Sequence, residues 1–175
     1  YQQMQVSFLS LTGGLTASMT PQLGGLTGGE SNGSSTFTVI TDNPGGYQLT
    51  IAAENDPAMQ KGADTISDYS PAGAEPDLNF NTLTNDVHFG FGVAGADVVE
   101  RFEANGGSCD NGAGISASST CWDGLSTSAA TIAQGVTNQP DGATTTVYFK
   151  VGIGGGVAVV PGIYTATTTV TASAL

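Results

Sequence analysis

Apolar and polar residues alternate with a period of two along most of the chain, which is the pattern of half-buried β-strands. The alternation begins at once, because Met4, Val6 and Phe8 are separated by glutamine and serine. We therefore predict an N-terminal strand segment within residues 1–22. Residues 23–35 contain five glycines and three serines and predict a Gly/Ser-rich flexible connection to the rest of the chain.

The clearest local pattern in the first half of the chain lies on both sides of the sequence DNPGG. Residues 36–40 and 47–53 alternate there, and two alternating runs joined by a Pro-Gly-Gly turn predict a β-hairpin. Residues 54–86 carry three prolines and scattered acids, so we predict a loop with one short strand near Thr65–Ile66.

Alternation resumes at residues 87–93, where Gly90 and Gly92 occupy the face opposite the apolar one. Small residues on that face predict close approach of another backbone or a flat exposed surface. Further along, the pattern predicts a helical turn at 98–103 and strands at 128–136, 147–153 and 163–175. About seven to nine strands in all predict an all-β antiparallel β-sandwich or jelly-roll-like domain over residues 36–175.

The charge balance excludes several kinds of partner. Lys and Arg number three against fifteen Asp and Glu, a formal net charge of −12. Three cations cannot neutralise a nucleic-acid backbone or an anionic membrane surface. The apolar runs are shorter than the ~20 residues of a membrane-spanning helix, so we expect no membrane insertion. Because the chain begins with Tyr1, we expect that a secretory signal has been removed and that the protein is extracellular or at the cell surface.

The two cysteines, Cys109 and Cys121, lie in the Gly/Ser-rich sequence GGSCDNGAGISASSTCWDG. An even cysteine count in a secreted protein favours a disulfide, which would contribute roughly 3 kcal/mol for a loop of this size. A zinc site would need two further ligands nearby, and a redox pair is more often spaced CxxC. We therefore predict a Cys109–Cys121 bridge.

Three segments resemble secreted bacterial surface proteins that contain a β-sandwich domain. They are TFTVITDNPGGYQLTIAAEN (36–55), VHFGFGV (87–93) with a downstream CW, and TTTVYFKVGI followed by VPGIYTATTTVTA (144–172). A terminal strand of the form PGxYTxTxTVT is also similar to those of spore-coat-type and fimbrial subunits. The resemblance implies a structural or adhesive protein rather than an enzyme, and several members of such families build extracellular fibres.

The segment YQQMQVSFLSL has two interpretations. In the first, it fills a groove in a neighbouring subunit by β-augmentation, with Met4, Val6 and Phe8 as the inserted side chains. The partners are then copies of the same chain in a homopolymer. In the second, residues 3–9 form the first strand of their own sandwich, because alternation does not record which chain supplies the partner. The alternative function is a monomeric surface module that binds a glycan or a protein.

Catalytic chemistry has weak candidates, and we assign no catalytic residue. His88 lies within a strand pattern, and no GxSxG sequence accompanies it. Acidic residues also pair locally, but the distance between two carboxylates across a cleft is what defines a glycosidase. The local pairs are Glu54 with Asp56, Glu75 with Asp77, and Glu100 with Glu103.

Ion, sugar and modification sites stay open at the level of sequence. Acidic and amide residues in the loops near 42, 56, 110 and 141 would suit calcium, but no EF-hand spacing is present and turn chemistry explains them as well. We assign no metal ligand and no cofactor. Trp122, Tyr47 and Tyr69 could stack on a sugar but are more often core residues. Asn32 begins a glycosylation sequon in a segment predicted to be an exposed loop.

Overall fold

The computed structural model describes residues 8–24, 27–105, 107–110 and 120–175, and within them the chain is an all-β sandwich. The strands are β1 (Leu9–Gly13), β2 (Gly29–Thr41), β3 (Tyr47–Ala53), β4 (Met59–Lys61), β5 (Asp64–Asp68), β6 (Val87–Gly95), β7 (Ala104–Asn105), β8 (Ser108–Cys109), β9 (Trp122–Gly124), β10 (Ala130–Gly135), β11 (Gln139–Ile153), β12 (Thr165–Ala166) and β13 (Thr168–Ala174). A 3-10 helix follows β6. The larger sheet has the strand order β1-β2-β11-β6-β5-β4-β12, with β9 also paired to β6, and the smaller sheet has the order β10-β3-β13.

This architecture confirms the predicted fold class. Eight of the strands have five or more residues, within the predicted seven to nine, and the others have two or three. The pairings are antiparallel except for a short parallel contact of β5 with β6. The predicted helical turn is the 3-10 helix Glu100–Phe102.

The core lies between the two sheets because each long strand turns alternate side chains inward. Val39 of β2 and Phe91 of β6 are each 1% exposed, and Ile51 of β3 and Ile132 of β10 face them at 1% and 0%. Residues of β2 and β3 with odd numbers are the buried ones. The period-two pattern therefore correctly predicted the inward-facing side chains of residues 36–40 and 47–53.

The predicted hairpin at DNPGG is wrong, although both of its strands are present. β2 pairs with β1 and β11 in the larger sheet, whereas β3 pairs with β10 and β13 in the smaller one. The connection is therefore an arch that crosses the core, closed by a hydrogen bond from the Gly46 amide to the Asn43 carbonyl at 3.0 Å. A hairpin would place both apolar faces on one side of one sheet, whereas the arch makes them face each other. Alternation therefore shows which face of a strand is buried, but it does not show which sheet the strand joins.

The predicted flexible connection is also wrong over residues 29–35, which are the first half of β2. Every residue of that half is in register with β11, and Ser31 and Ser35 are buried opposite Val151 and Val147. Glycine and serine have low strand propensity, but pairing along a fifteen-residue partner overrides it. Asn32 is accordingly exposed on a strand rather than in a loop.

The glycines of β6 allow a second, smaller apolar cluster to form on the outer face of the larger sheet. A Cβ atom added to Gly90 would lie 2.8 Å from the Cβ atom of Tyr69 and 2.9 Å from the carbonyl oxygen of Asp123, which confirms the first of the two predicted alternatives, the close approach of another backbone. Tyr69 stacks on Phe80 at 4.6 Å between ring centroids, and Phe80 meets Trp122 edge-on at 5.3 Å. All three rings are buried, so the segment that carries Tyr69 and Phe80 is held against the sheet.

Lys150 lies beneath this aromatic cluster. Its ammonium nitrogen is 4.8 Å from the centroid of the Trp122 ring, 5.3 Å from that of Phe80, and 3.3 Å from a carboxylate oxygen of Glu30. The Lys150 side chain is only 17% exposed to solvent. Cation–π attraction and one ion pair therefore offset the cost of covering the charge.

The two other cations are also engaged. Arg101 bridges two carboxylates, with N–O distances of 2.8 Å to Glu75 and 2.6 Å to Asp123. Lys61 pairs with Asp64 at 3.0 Å across the tight turn from β4 to β5. Such partly exposed pairs contribute little free energy individually, but Arg101 connects the segment that precedes β6 to β9.

Cys109 and Cys121 form a disulfide, as predicted. Its closed loop spans a sequence separation of 12 residues and connects β8 to the start of β9. No helix in the described ranges is both long and apolar enough to cross a membrane.

Replacing both cysteines with serine should lower the free energy of unfolding by about 3 kcal/mol, because the unfolded chain regains the freedom that the bridge removes. Urea unfolding of the oxidised wild type and of the double variant measures the difference. Wild type treated with a reducing agent is the control and should match the variant. An unchanged urea midpoint in the variant would contradict the loop-closure argument.

Candidate functional site

An apolar groove of about 610 Å³ opens between β1, the last strand of the larger sheet, and β13, the last strand of the smaller one. Buried phenylalanines of β6 and β11 form its floor, and residues on both sides of β1 and β13 form its walls. The principal apolar lining residues are Leu11, Ala17, Met19, Phe37, Met59, Phe89, Phe149, Tyr164 and Val170.

One wall of the groove is a strand edge with unpaired backbone groups. The Glu54 amide donates to the Thr167 carbonyl at 2.9 Å, and the Leu175 amide donates to the Gly46 carbonyl at 3.2 Å. Antiparallel pairing alternates, so the odd-numbered residues of β13 bond to β3 and the even-numbered ones turn their N–H and C=O groups away. Among the described residues, none pairs with the outward groups of Thr168, Val170 and Ala172.

The opposite wall has the same property. The Asp42 amide donates to the Phe8 carbonyl at 3.3 Å, and the Gly14 amide donates to the Thr36 carbonyl at 3.2 Å. Even-numbered residues of this segment therefore bond to β2, and Leu9, Leu11 and Gly13 turn their backbone groups outward. The groove thus lies between two strand edges.

The other edge of the smaller sheet is closed. The Val99 amide donates to the Ile132 carbonyl at 3.2 Å, and the Gln134 amide donates to the Asp97 carbonyl at 2.7 Å. The segment 97–99 therefore covers β10. The smaller sheet is covered along part of β10 and open along β13, so its unpaired edge lies at the groove.

Side chains beside the groove are less buried than the rest of the inner faces. Leu11, Phe37 and Val170 all point inward but are only half-buried, whereas Val39 and Ile51 are 1% exposed. Three strands cannot cover the inner face of a sheet that has eight. The apolar surface left open is the part that one more strand beside β13 would cover.

The chain widens the groove between β1 and Met19. Gly14 bonds to Thr36, and Thr20 exchanges backbone hydrogen bonds of 2.8 and 2.9 Å with Asn32. Five residues, 15–19, therefore accompany only three residues of β2, 33–35, and must arch away from it. Ala17 and Met19 turn into the groove as a result.

Asp68 fixes the end of the groove that Met59 lines. Both of its carboxylate oxygens accept from the Ala58 amide, at 3.1 and 3.3 Å. Burial raises the pKa of Asp68 to about 6, and the nearby charge of Asp56 acts in the same direction. The Ala58 hydrogen bond opposes this shift and holds β4 against β5.

The groove and the attachment point of residues 1–7 lie at opposite ends of the sandwich. The Phe8 amide donates to the Asp42 carboxylate at 2.6 Å, and the Asn43 side chain donates to the Leu175 carbonyl at 2.7 Å. We call this the residue-8 end. The groove opens where Gly13–Met19 approach Tyr164–Thr168, which we call the groove end. β1 and β13 run between the two ends in opposite directions.

The predicted donor residues are only partly placed. Phe8 is 55% exposed at the residue-8 end, immediately before β1. Met4 and Val6 lie outside the described residues. The strand that the chain supplies to its own sheet is Leu9–Gly13.

Four of the residues considered for other chemistry have structural partners. Tyr69 donates to Asp77 at 2.7 Å, Glu75 pairs with Arg101, and His88 Nε2 lies 3.2 Å from the Thr82 hydroxyl. Burial lowers the pKa of His88. The described ranges contain no cluster of three or more possible metal ligands.

The aromatic residues considered for sugar stacking are in the interior. Tyr47, Tyr69 and Trp122 are 0%, 5% and 9% exposed, so their rings offer no open platform. Sequence reasoning missed the groove because it depends on which strand edge stays unpaired. The one feature of the sequence that pointed toward the groove was that apolar and polar residues alternate both in β13 and in the segment 3–8.

No protein-family model, curated protein or solved structure matches this chain. The resemblance to bacterial surface subunits therefore stays a prediction.

Replacing Asp68 with asparagine should remove a pH dependence of stability. The folded-state pKa of about 6 exceeds the usual value near 3.8, so the folded chain binds this proton more tightly. The resulting stabilisation is present below pH 4 and is lost as the pH rises through 6. The asparagine side chain keeps an acceptor for the Ala58 amide without the buried charge.

As the pH rises from 4.5 to 7, we expect the free energy of unfolding of the Asp68→Asn variant to increase by about 1 kcal/mol relative to that of wild type. This value allows for partial screening of Asp68 by solvent. Urea unfolding at several pH values measures this difference. His88 titrates in both proteins and cancels in the comparison. Parallel pH profiles would show that Asp68 is solvated like a surface carboxylate.

Proposed function

We propose that the protein is the structural subunit of an extracellular filament, in which residues 1–7 of one copy complete the open sheet edge of the next copy. The observation that carries this proposal is the placement of the groove and of residue 8 at opposite ends of the sandwich. A segment that joins the domain at one end reaches a neighbour's groove most directly when copies stack end to end. Such a contact does not close on itself, so it generates a filament.

The stacking determines the direction of the inserted strand. Traced from residue 8 back to residue 1, the segment leaves the residue-8 end and enters the neighbour at its groove end. It therefore runs from residue 1 to residue 8 against the direction of β13, which starts at the groove end. The smaller sheet then becomes a four-stranded antiparallel sheet in the order β10, β3, β13 and donor.

The side-chain pattern of the segment suits this position. Directly opposite residues in an antiparallel pair share a face, so the even-numbered donor residues lie beside the even-numbered residues of β13. Met4 and Val6 then point into the groove, while Phe8, held by Asp42 of its own copy, stays at the groove mouth. The odd-numbered donor residues, glutamine and serine, lie beside exposed Thr169, Thr171 and Ser173.

The energetic gain has two sources. The donor satisfies the outward groups of β13, and its apolar side chains cover inner surface that is now half exposed. Burying a side chain such as methionine or valine contributes roughly 1.5–3 kcal/mol. Main-chain pairing supplies affinity that is insensitive to sequence, and the alternating apolar side chains supply the register.

The surface chemistry supports an extracellular location. The chain has a disulfide and few charges, and every lysine and arginine is tied to an acid. Its net charge of −12 makes copies repel each other at low ionic strength. Assembly should therefore be favoured as salt screens that repulsion, with a Debye length of roughly 8 Å at physiological salt.

Negative-stain electron microscopy of the native chain at low and physiological salt should reveal uniform filaments. Deleting residues 1–7 should leave a folded monomer that does not assemble, because β1 and every described residue of the sandwich remain. Size-exclusion chromatography and circular dichroism check both properties.

A matched pair of substitutions tests the direction of the side chains. Val6→Asp should abolish assembly, because it places a charge in the apolar groove. Gln5→Asp adds the same charge on the outer face and should permit assembly at physiological salt. Dispersed wild-type monomers at every concentration and salt would refute the filament and leave a monomeric binding module as the function.

A further inference from the structure

We propose that successive copies also meet through an apolar contact between the two ends of the sandwich, with the turn 160–163 of one copy against Val136 and Leu175 of the next. This inference rests on the proposed filament and adds a second, separate interface to the inserted strand. Its partner is another copy of the same chain, joined by unlike surfaces.

The exposed apolar side chains are unevenly distributed. At the groove end, Ile163 is 84% and Val160 is 51% exposed, and at the residue-8 end Val136 is 71% and Leu175 is 49% exposed. Isolated apolar residues are common on protein surfaces and need no explanation. Here, however, most of the large exposed apolar residues of the described chain lie at the two ends, and the exceptions are Tyr148 on the outer sheet face and Leu83 in the loop before β6.

The turn 160–163 projects beside the groove without lining it. The Tyr164 hydroxyl donates to the Val160 carbonyl at 3.0 Å, and Lys61 donates to the Pro161 carbonyl at 3.0 Å. Tyr164 lines the groove, so the turn stands at its mouth. Ile163 is thus close to the entry path of a donor strand but is not part of the groove.

Val136 and Leu175 lie at the other end, on opposite sides of the start of β3. Val136 follows Gly135, which is in register with Tyr47, and the Leu175 amide donates to the carbonyl of Gly46. The Asn43 side chain also holds the Leu175 carbonyl. These bonds fix two exposed apolar side chains beside the point from which residues 1–7 depart.

A short connection forces the two ends together. The Phe8 amide is bonded to Asp42, and its carbonyl accepts from the Thr41 hydroxyl at 2.7 Å, so residue 8 belongs to the donor's own body. Val6 is two residues away, which is about 7 Å in an extended chain. Val6 can occupy a neighbour's groove only if the groove mouth is within that distance of Phe8. The turn 160–163 must then approach the residue-8 end.

The test compares filament growth with strand binding. Ile163→Ser and Val136→Ser each remove one side of the proposed contact, and Tyr148→Ser is the matched control on the outer face. The critical concentration for assembly is measured by light scattering and microscopy. Separately, a synthetic peptide of residues 1–8 is titrated into the same variants lacking residues 1–7. All substituted residues are exposed, and thermal unfolding verifies that each variant folds.

We expect Ile163→Ser and Val136→Ser each to raise the critical concentration about tenfold. In the double variant, the critical concentration should rise by less than the product of the two single increases, because both substitutions remove the same contact. Peptide affinity should stay unchanged in all variants, and Tyr148→Ser should assemble like wild type.

Two results would overturn the end contact while leaving the filament intact. One is wild-type assembly by both end variants, and the other is a loss of peptide affinity that matches the assembly defect, because the residues would then belong to the groove. If wild type forms no filament and the peptide does not bind, the proposed function itself fails together with this inference.

Discussion

The smaller sheet ends at β13, and the backbone groups that Thr168, Val170 and Ala172 turn outward meet no partner among the described residues. This open edge determines the shape of the rest of the groove. Because no strand lies beyond β13, Leu11 and Phe37 of the larger sheet stay half-buried. Proteins usually cover or distort such an edge, as residues 97–99 cover β10 here. An edge left straight and flanked by apolar surface is suited to accept a strand.

The proposed filament depends on the direction of the two edge strands. β1 and β13 run oppositely, so the start of one lies beside the end of the other. Residue 8 and Leu175 consequently share one end, whereas the groove opens at the other. A domain in which residues 1–7 and the groove lay at the same end would more readily insert the segment into its own groove. In the proposed filament, the two lie at opposite ends, so the strand of each copy reaches the groove of the next copy and the simplest arrangement contains many copies.

Sequence patterns predicted much of this fold but little of the groove. Alternation identified the inward-facing residues of β3, of β13 and of the second half of β2, and the glycines at 90 and 92 correctly indicated a close approach. The same alternation could not distinguish a hairpin from an arch at DNPGG, because both bury the same side chains. It also could not identify the strand edge that stays unpaired, since edges are defined by long-range pairing. The Gly/Ser-rich start of β2 was misread because its partner, β11, is more than 100 residues away.

The scarcity of cations has a consequence for the susceptibility of the folded protein to proteolysis. Digestive proteases of the trypsin type cut after lysine or arginine, and this chain offers them only Lys61, Arg101 and Lys150. Lys150 is covered by the rings of Trp122 and Phe80, and Arg101 is held between two carboxylates. Lys61 is tied to the turn that it borders. The folded sandwich therefore offers a protease of this type at most three cleavage sites, and each has a cation that is held by an acidic partner.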